Sequence, residues 1–269
     1  KDYKKIIDLY KEIIFILDQI DALYPQPYQD ISYQYYRLGN YEKAISFISK
    51  AISLEKSLNG NVTSNYAFYL DGLALYYGKG KLFLSEEEFK KILPLLDESL
   101  NIKKVIYGNQ NVKTADGYYQ LANLYSQKGK LYKAIKLRKE SIEILENLNE
   151  VKNFHMTLDD FKTLIYFSIS VDFQNIGDLK NALKYSLKSL EINEKLLDKN
   201  DLKLAENLES IGGIYFLMAD FNESKSYLKR ASKIFENKNK KDRFISTKNL
   251  LKILSFKKND KYSSPKLIS

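Results

Sequence analysis

The residues that could carry chemistry are few and scattered. His155 is the single histidine of the 269-residue chain, and there is no Cys. It stands just before Asp159 and Asp160, yet a metal site or acid–base centre there would need partners brought from elsewhere, with no second His or Cys to help. His155 therefore reads as a surface-loop residue. Gly78-Lys79-Gly80-Lys81 has the look of a phosphate cradle, but it lacks the Walker spacing and no strand precedes it. Ser85 followed by Glu86-Glu87-Glu88 reads better as a helix start, with Ser85 capping and the acids in the first turn. Carboxylates are plentiful, but no pair falls where a helical stack would be expected to bury it, so an acid/base dyad is not expected. Neither catalysis, a metal nor a cofactor is expected of this chain.

Charge and composition narrow the field further. Lys and Arg number 43 against 34 Asp and Glu, a net charge of +9. The positive charge is almost all Lys, since Arg occurs only at Arg37, Arg138, Arg230 and Arg243. A nucleic-acid reader leans on Arg for bidentate contacts to phosphate and guanine. Here Lys is dispersed among Glu, Asn and Ser, with small clusters at Lys238 to Lys241 and Lys257-Lys258, the pattern of solvated helix faces and a basic end. No apolar run approaches the roughly 18 residues that span a bilayer, so no membrane partner is expected. The absence of Cys fits a reducing compartment, and the cytoplasm is the expected location. The chain starts at Lys1 without an initiator Met, which reads as a piece excised from something longer.

What could position any functional residue is a repeat. Small residues recur as anchors of successive first helices at Ser32, Ala74, Ala122, Ser170 and Gly212, and of second helices at Ala51, Ser99, Ser141, Ser189 and Ala231. A 42-residue period with two six-residue insertions accounts for both series, one insertion between Ala74 and Ser99, the other between Ser141 and Ser170. An aliphatic residue precedes each first-helix anchor (Ile31, Leu73, Leu121, Ile169, Ile211) and an aromatic follows it by three (Tyr35, Tyr77, Tyr125, Phe173, Tyr215). Three after each second-helix anchor stands Leu54, Ile102, Ile144, Ile192 or Ile234. Small anchors admit close helix crossings and the aromatics fill the adjoining grooves. Gly39, Gly129 and Gly177 fall at the turns between paired helices, where positive φ ends the first helix. One such pair cannot bury its own apolar face, so neighbours must stack.

This pattern resembles the tetratricopeptide repeat, in the 42-residue kinesin light chain-like variety to which junctions such as Tyr107-Gly108-Asn109-Gln110-Asn111 are also similar. The resemblance covers about residues 25–237 and implies an all-α, right-handed superhelical solenoid of five helix pairs that binds a protein or an extended peptide. Unit two departs from the pattern at Ile92 and Pro94, and unit five has Ala219 where its turn would hold Gly. In such folds the first helices line a concave groove. By register, the groove residues here would be Gln29, Tyr33, Tyr36 and Arg37 of unit one, Asp71 of unit two, and Tyr119, Asn123, Ser126 and Gln127 of unit three. Unit four would add Phe167, Gln174 and Asn175, and unit five Phe216. The carboxylate clamp of chaperone-type members is disfavoured, because Gln29, Tyr119 and Phe167 stand where its first Lys belongs. Asn123 is the foremost candidate, an exposed amide able to donate to and accept from a peptide backbone. The competing reading is that several groove aromatics only pack between repeats.

Outside the units, residues 1–24 read as a capping helix or a truncated repeat, with Ile6, Leu9, Ile13, Ile14, Leu17 and Ile20 forming its apolar face. Residues 238–256 read as a C-terminal cap, with Phe244, Leu250, Leu251 and Leu254 facing the last repeat, and 257–269 as a frayed basic tail. The Gly78–Ser85 insertion is expected to be a mobile loop, and the 147–159 insertion to set the angle between its neighbours. Three functions fit: a protein–protein scaffold; a regulatory arm of a partner enzyme such as a caspase-like protease, or an intracellular peptide receptor; and, disfavoured, a nucleic-acid binder.

Overall fold

The computed structural model describes residues 3–19, 23–149 and 154–257. Among these it forms twelve α-helices and no strand. After α1 (Tyr3–Gln19) come five pairs: α2 (Pro25–Arg37) with α3 (Tyr41–Asn59), α4 (Ser64–Gly78) with α5 (Glu86–Tyr107), α6 (Val112–Gln127) with α7 (Leu131–Glu146), α8 (Leu158–Asn175) with α9 (Leu179–Leu196), and α10 (Leu202–Leu217) with α11 (Phe221–Asn237). The last helix is α12 (Lys241–Lys257). The chain divides into two compact bodies, Lys1–His155 holding α1 to α7 and Met156–Ser269 holding α8 to α12. Within each body every helix packs on the next in sequence.

All ten small anchors are buried, as the register requires. Their chemistry shows why Ser serves as well as Ala. The hydroxyls of Ser99, Ser141 and Ser189 donate to the carbonyls of Ala67, Ala115 and Thr163, at equivalent points on the paired first helices. A buried hydroxyl without such a partner would be costly, and a backbone carbonyl one helix away satisfies it without bulk. The crossing of α10 on α11 is tight: a Cβ built on Gly212 would lie 2.7 Å from Leu228 Cγ.

The turns also repeat. The amide of Asn40 donates to the Tyr35 carbonyl and that of Gly39 to the Tyr36 carbonyl, and the same pair of bonds recurs at Tyr125/Ser126, Phe173/Gln174 and Tyr215/Phe216. Positive φ at Gly39, Gly129 and Gly177 makes this closure possible, and in unit five Ala219 adopts φ 61° in the same place.

Several expectations are corrected. On α1 the inward face is Ile7, Tyr10 and Ile14, packed on the first core, with Leu17 half-buried; Ile6, Leu9 and Ile13 are exposed. Ile20 lies outside the described residues. The insertion after α4 is anchored and does not have the contacts of a loose loop. Leu84 is buried in the α4–α7 core, its amide donates to the Gln127 carbonyl, and Gln127 Nε2 donates to the Lys81 carbonyl. Lys81 pairs with Glu88 and Lys128 with Glu86, at 2.6 and 2.9 Å. The third correction concerns buried carboxylates and follows below. On α12 Leu254 is buried, Leu250 and Leu251 are half-buried and Phe244 packs on the last pair. Residues 150–153 and 258–269 lie outside the described residues, and with them the expectations for the second insertion's hinge and for the tail.

Candidate functional site

In the first body the first helices stand side by side. Tyr76 of α4 stacks on Tyr36 of α2 with ring centroids 4.9 Å apart and shares a 3.2 Å hydrogen bond with Ser32, while Tyr69 donates to Gln26. These contacts place Tyr36 in the packing rather than on a free surface. The face of α4 that is left over carries Phe68, Asp71 and Leu75, spaced i, i+3 and i+7. A helix apolar on all sides is ordinarily buried. Here α4 buries seven residues and still leaves Phe68 55% and Leu75 50% exposed. On α2, Tyr33 is 42% exposed, and Arg37 donates to the hydroxyls of Tyr33 and Tyr3. The Gln29 carbonyl oxygen of the side chain accepts from Gln26 at 2.8 Å.

Between α4 and α6 this surface opens into a cleft of about 150 Å³. Asp71, Gln120 and Asn123 give it polar walls, Leu75, Leu96 and Leu124 apolar ones, and Gly80 of the anchored insertion borders it. Behind it lies an ion cluster the sequence reading excluded. Lys103 of α5, only 5% exposed, reaches Asp71 Oδ2 at 2.7 Å and Asp116 Oδ2 at 3.2 Å. Burial works against the Lys103 charge, but the two carboxylates more than offset it and its pKa lies above the ordinary lysine value. Burial raises the Asp71 pKa, Lys103 opposes the shift, Asp116 adds to it and the nearby Ser99 hydroxyl opposes it more weakly. A signal existed. Lys103 stands four residues after Ser99, and the equivalent residues Glu55, Leu145, Asn193 and Phe235 are all buried.

Asn123 is not the exposed amide expected. It is half-buried, and its side-chain oxygen accepts a 2.8 Å hydrogen bond from Arg138 of α7. Arg138 is 5% exposed, its guanidinium lies over the Tyr119 ring, and burial lowers its pKa to about 10. It occupies a buried slot where the other units place Ile48, Leu96, Ser186 and Leu228, so Asn123 and Tyr119 partly serve to house a cation inside the repeat. Gln127 is likewise engaged by the insertion, and Ser126 is half-buried. In the second body Phe167 and Phe216 are half-buried, Phe216 against Phe221, and Gln174 donates to Ser170 at 3.4 Å. Asn175 is exposed.

The other candidate chemistries resolve into structure. Ser85 and Glu88 form a reciprocal capping box, and hydrogen bonding from Lys81 and Ser85 pulls Glu88 down to about 2. Lys81, committed to Glu88, does not cradle an anion with Gly78 and Gly80. His155 is exposed and rests against Phe154, while Asp160 accepts from Thr157 and pairs with Lys203. Among the described residues there is no group of three His, Asp or Glu that could hold a metal, and no helix long and apolar enough to cross a membrane.

Paired helices with small anchors at this period define a helical-repeat protein. The tetratricopeptide repeat profile matches residues 25–58, 73–147 and 165–237, and the chain belongs to that family. A TPR repeat-containing protein of Methanocaldococcus jannaschii is 29% identical over 80% of the chain, and the RxLR effector protein SFI4 of Phytophthora infestans 20% over 81%. The chain spans 32% and 61% of their lengths. Among solved structures, the kinesin light chain TPR-like repeats of Podosopora anserina superpose with a TM-score of 0.65 at 13% identity, covering 80% of this chain and 98% of that one. BtubC of P. vanneervenii gives 0.67 at 17% identity, covering 88% and 90%. These likenesses show the fold, a stack of kinesin light chain-like TPR units.

Proposed function

We propose that the first body binds an extended segment of a partner protein along the faces of α2, α4 and α6. The observation that carries this reading is the pair Phe68 and Leu75, half-exposed on a helix whose other sides are fully packed. Exposed apolar side chains grouped on one face mark interaction sites, and these two lie two turns apart on the same face of α4. Tyr33 and Arg37 extend the surface on one side and the cleft beside Asp71 on the other. Asn123 and Gln127 line that cleft, with Tyr119 one turn earlier on α6, while Phe167, Gln174, Asn175 and Phe216 belong to the corresponding helices of the second body. No catalytic role is assigned.

The test is affinity capture from the native source with three baits: the parent chain, Phe68→Asp combined with Leu75→Asp, and Lys136→Glu. Lys136 is exposed on α7 and outside the proposed surface. A protein retained by the parent and by Lys136→Glu but lost by the double variant is the expected result. Loss with Lys136→Glu and retention by the double variant would move the interface to the second helices.

A further inference from the structure

We infer that the cleft between α4 and α6 receives a lysine or arginine side chain of the bound segment. The inference rests on the proposed groove reading and specifies which chemistry the groove selects. Three observations converge on it. Two carboxylates, Asp71 and Asp116, share one ammonium at Lys103, which leaves the cluster behind the cleft with an excess negative charge. Asp71 lines the cleft, and while its Oδ2 holds Lys103, its Oδ1 is sheltered from solvent without a hydrogen-bond partner. A sheltered carboxylate oxygen left unpaired is unfavourable, and a cation brought in by a ligand supplies what it lacks.

The remaining walls fit the same occupant. Gln120 turns its amide nitrogen toward Asp116 at 3.5 Å, which leaves its carbonyl oxygen as an acceptor for an incoming donor. Leu75, Leu96 and Leu124 offer apolar surface to an alkyl stem, the way long basic side chains bury their methylenes while the head finds a charge. The volume, about 150 Å³, admits a side chain of that length and excludes a folded ligand. An acidic side chain entering here would meet Asp71 directly. The cations around it are engaged elsewhere: Lys103 by Asp71 and Asp116, Lys81 by Glu88, and Arg138 by Asn123 and the Tyr119 ring. The chain as a whole carries +9, so diffuse electrostatics repels cations and a preference for one must be local.

The experiment is selection of phage-displayed random dodecapeptides on the full chain, followed by affinity measurements on synthetic peptides. Enriched peptides should share one Lys or Arg. Replacing that residue by norleucine or citrulline should weaken binding by about tenfold or more to the parent, and by far less to Asp71→Asn, which removes the charge but keeps the shape. Leu75→Arg, which places the chain's own cation at the mouth of the cleft, should block the same peptides. It provides the second route to an answer if Asp71→Asn does not fold by circular dichroism. Peptides that lack a basic residue yet are lost with Phe68→Asp and Leu75→Arg would overturn this inference and leave the groove reading standing. Basic peptides indifferent to both Asp71→Asn and Leu75→Arg would also overturn it. No enrichment, or binders indifferent to Phe68→Asp, would overturn the groove reading and the inference together.

Discussion

Gly212 and Gly213 are adjacent in α10 and have opposite surroundings. A Cβ on Gly212 would sit 2.7 Å from Leu228 Cγ and 3.3 Å from the Leu228 backbone nitrogen, whereas a Cβ on Gly213 would meet nothing within 4 Å. Gly212→Ala should therefore destabilise the chain by about 1–3 kcal/mol through overpacking. Gly213→Ala should stabilise it by about 0.4–1 kcal/mol, because alanine restricts the unfolded chain and fits the helix. Thermal melts of the two variants check this, and equal behaviour would mean that α10 crosses α11 elsewhere. Gly212 was legible because the repeat demands a small residue at its position, and so were the other nine anchors. Lys103 and Arg138 were not legible, since each is a cation in a slot that the repeat buries, and charge alone argued for the surface. Asn123 was misplaced for the same reason: an amide at a groove position looks free until the buried arginine behind it is known.

At the scale of elements, the insertion between α4 and α5 shows what length alone hides. Six extra residues suggested slack, since closure entropy grows slowly with loop length. Yet Leu84 is buried, and Lys81 and the Leu84 amide are tied to Gln127. Removing residues 79–84 should cost at least the burial of Leu84, about 1.5–3 kcal/mol, in urea melts. A deletion as stable as the parent would show the insertion to be dispensable. The Glu88 contribution has a definite direction: its folded pKa is depressed, so the stabilisation is present above the ordinary glutamate value. It is lost as pH falls through the window down to about 2. The helix pairs themselves were readable from period and turns, including the unusual Ala219 turn. The orientation of α1 was not, because its apolar face is wider than the stripe that packs. Its packed stripe of Ile7, Tyr10 and Ile14 competes with an equally regular one through Ile6, Leu9 and Ile13.

For the whole molecule, family and fold follow from the repeat, while selectivity rests on a few side chains that the repeat does not require. The signature explains Ala122 and Tyr125; it does not explain Phe68, Leu75 or the unpaired oxygen of Asp71. Those residues are where this chain differs from a generic helical stack, and the proposed partner segment is read from them. The most direct measurement is site-specific photo-crosslinking with p-benzoylphenylalanine at position 68 or at position 132, in the presence of the captured partner. Tyr132 is 77% exposed on α7, so it reports on the second-helix side. A covalent adduct from position 68, mapped by mass spectrometry to one short segment of the partner, with none from position 132, is the predicted result. An adduct from position 132 alone would contradict the account.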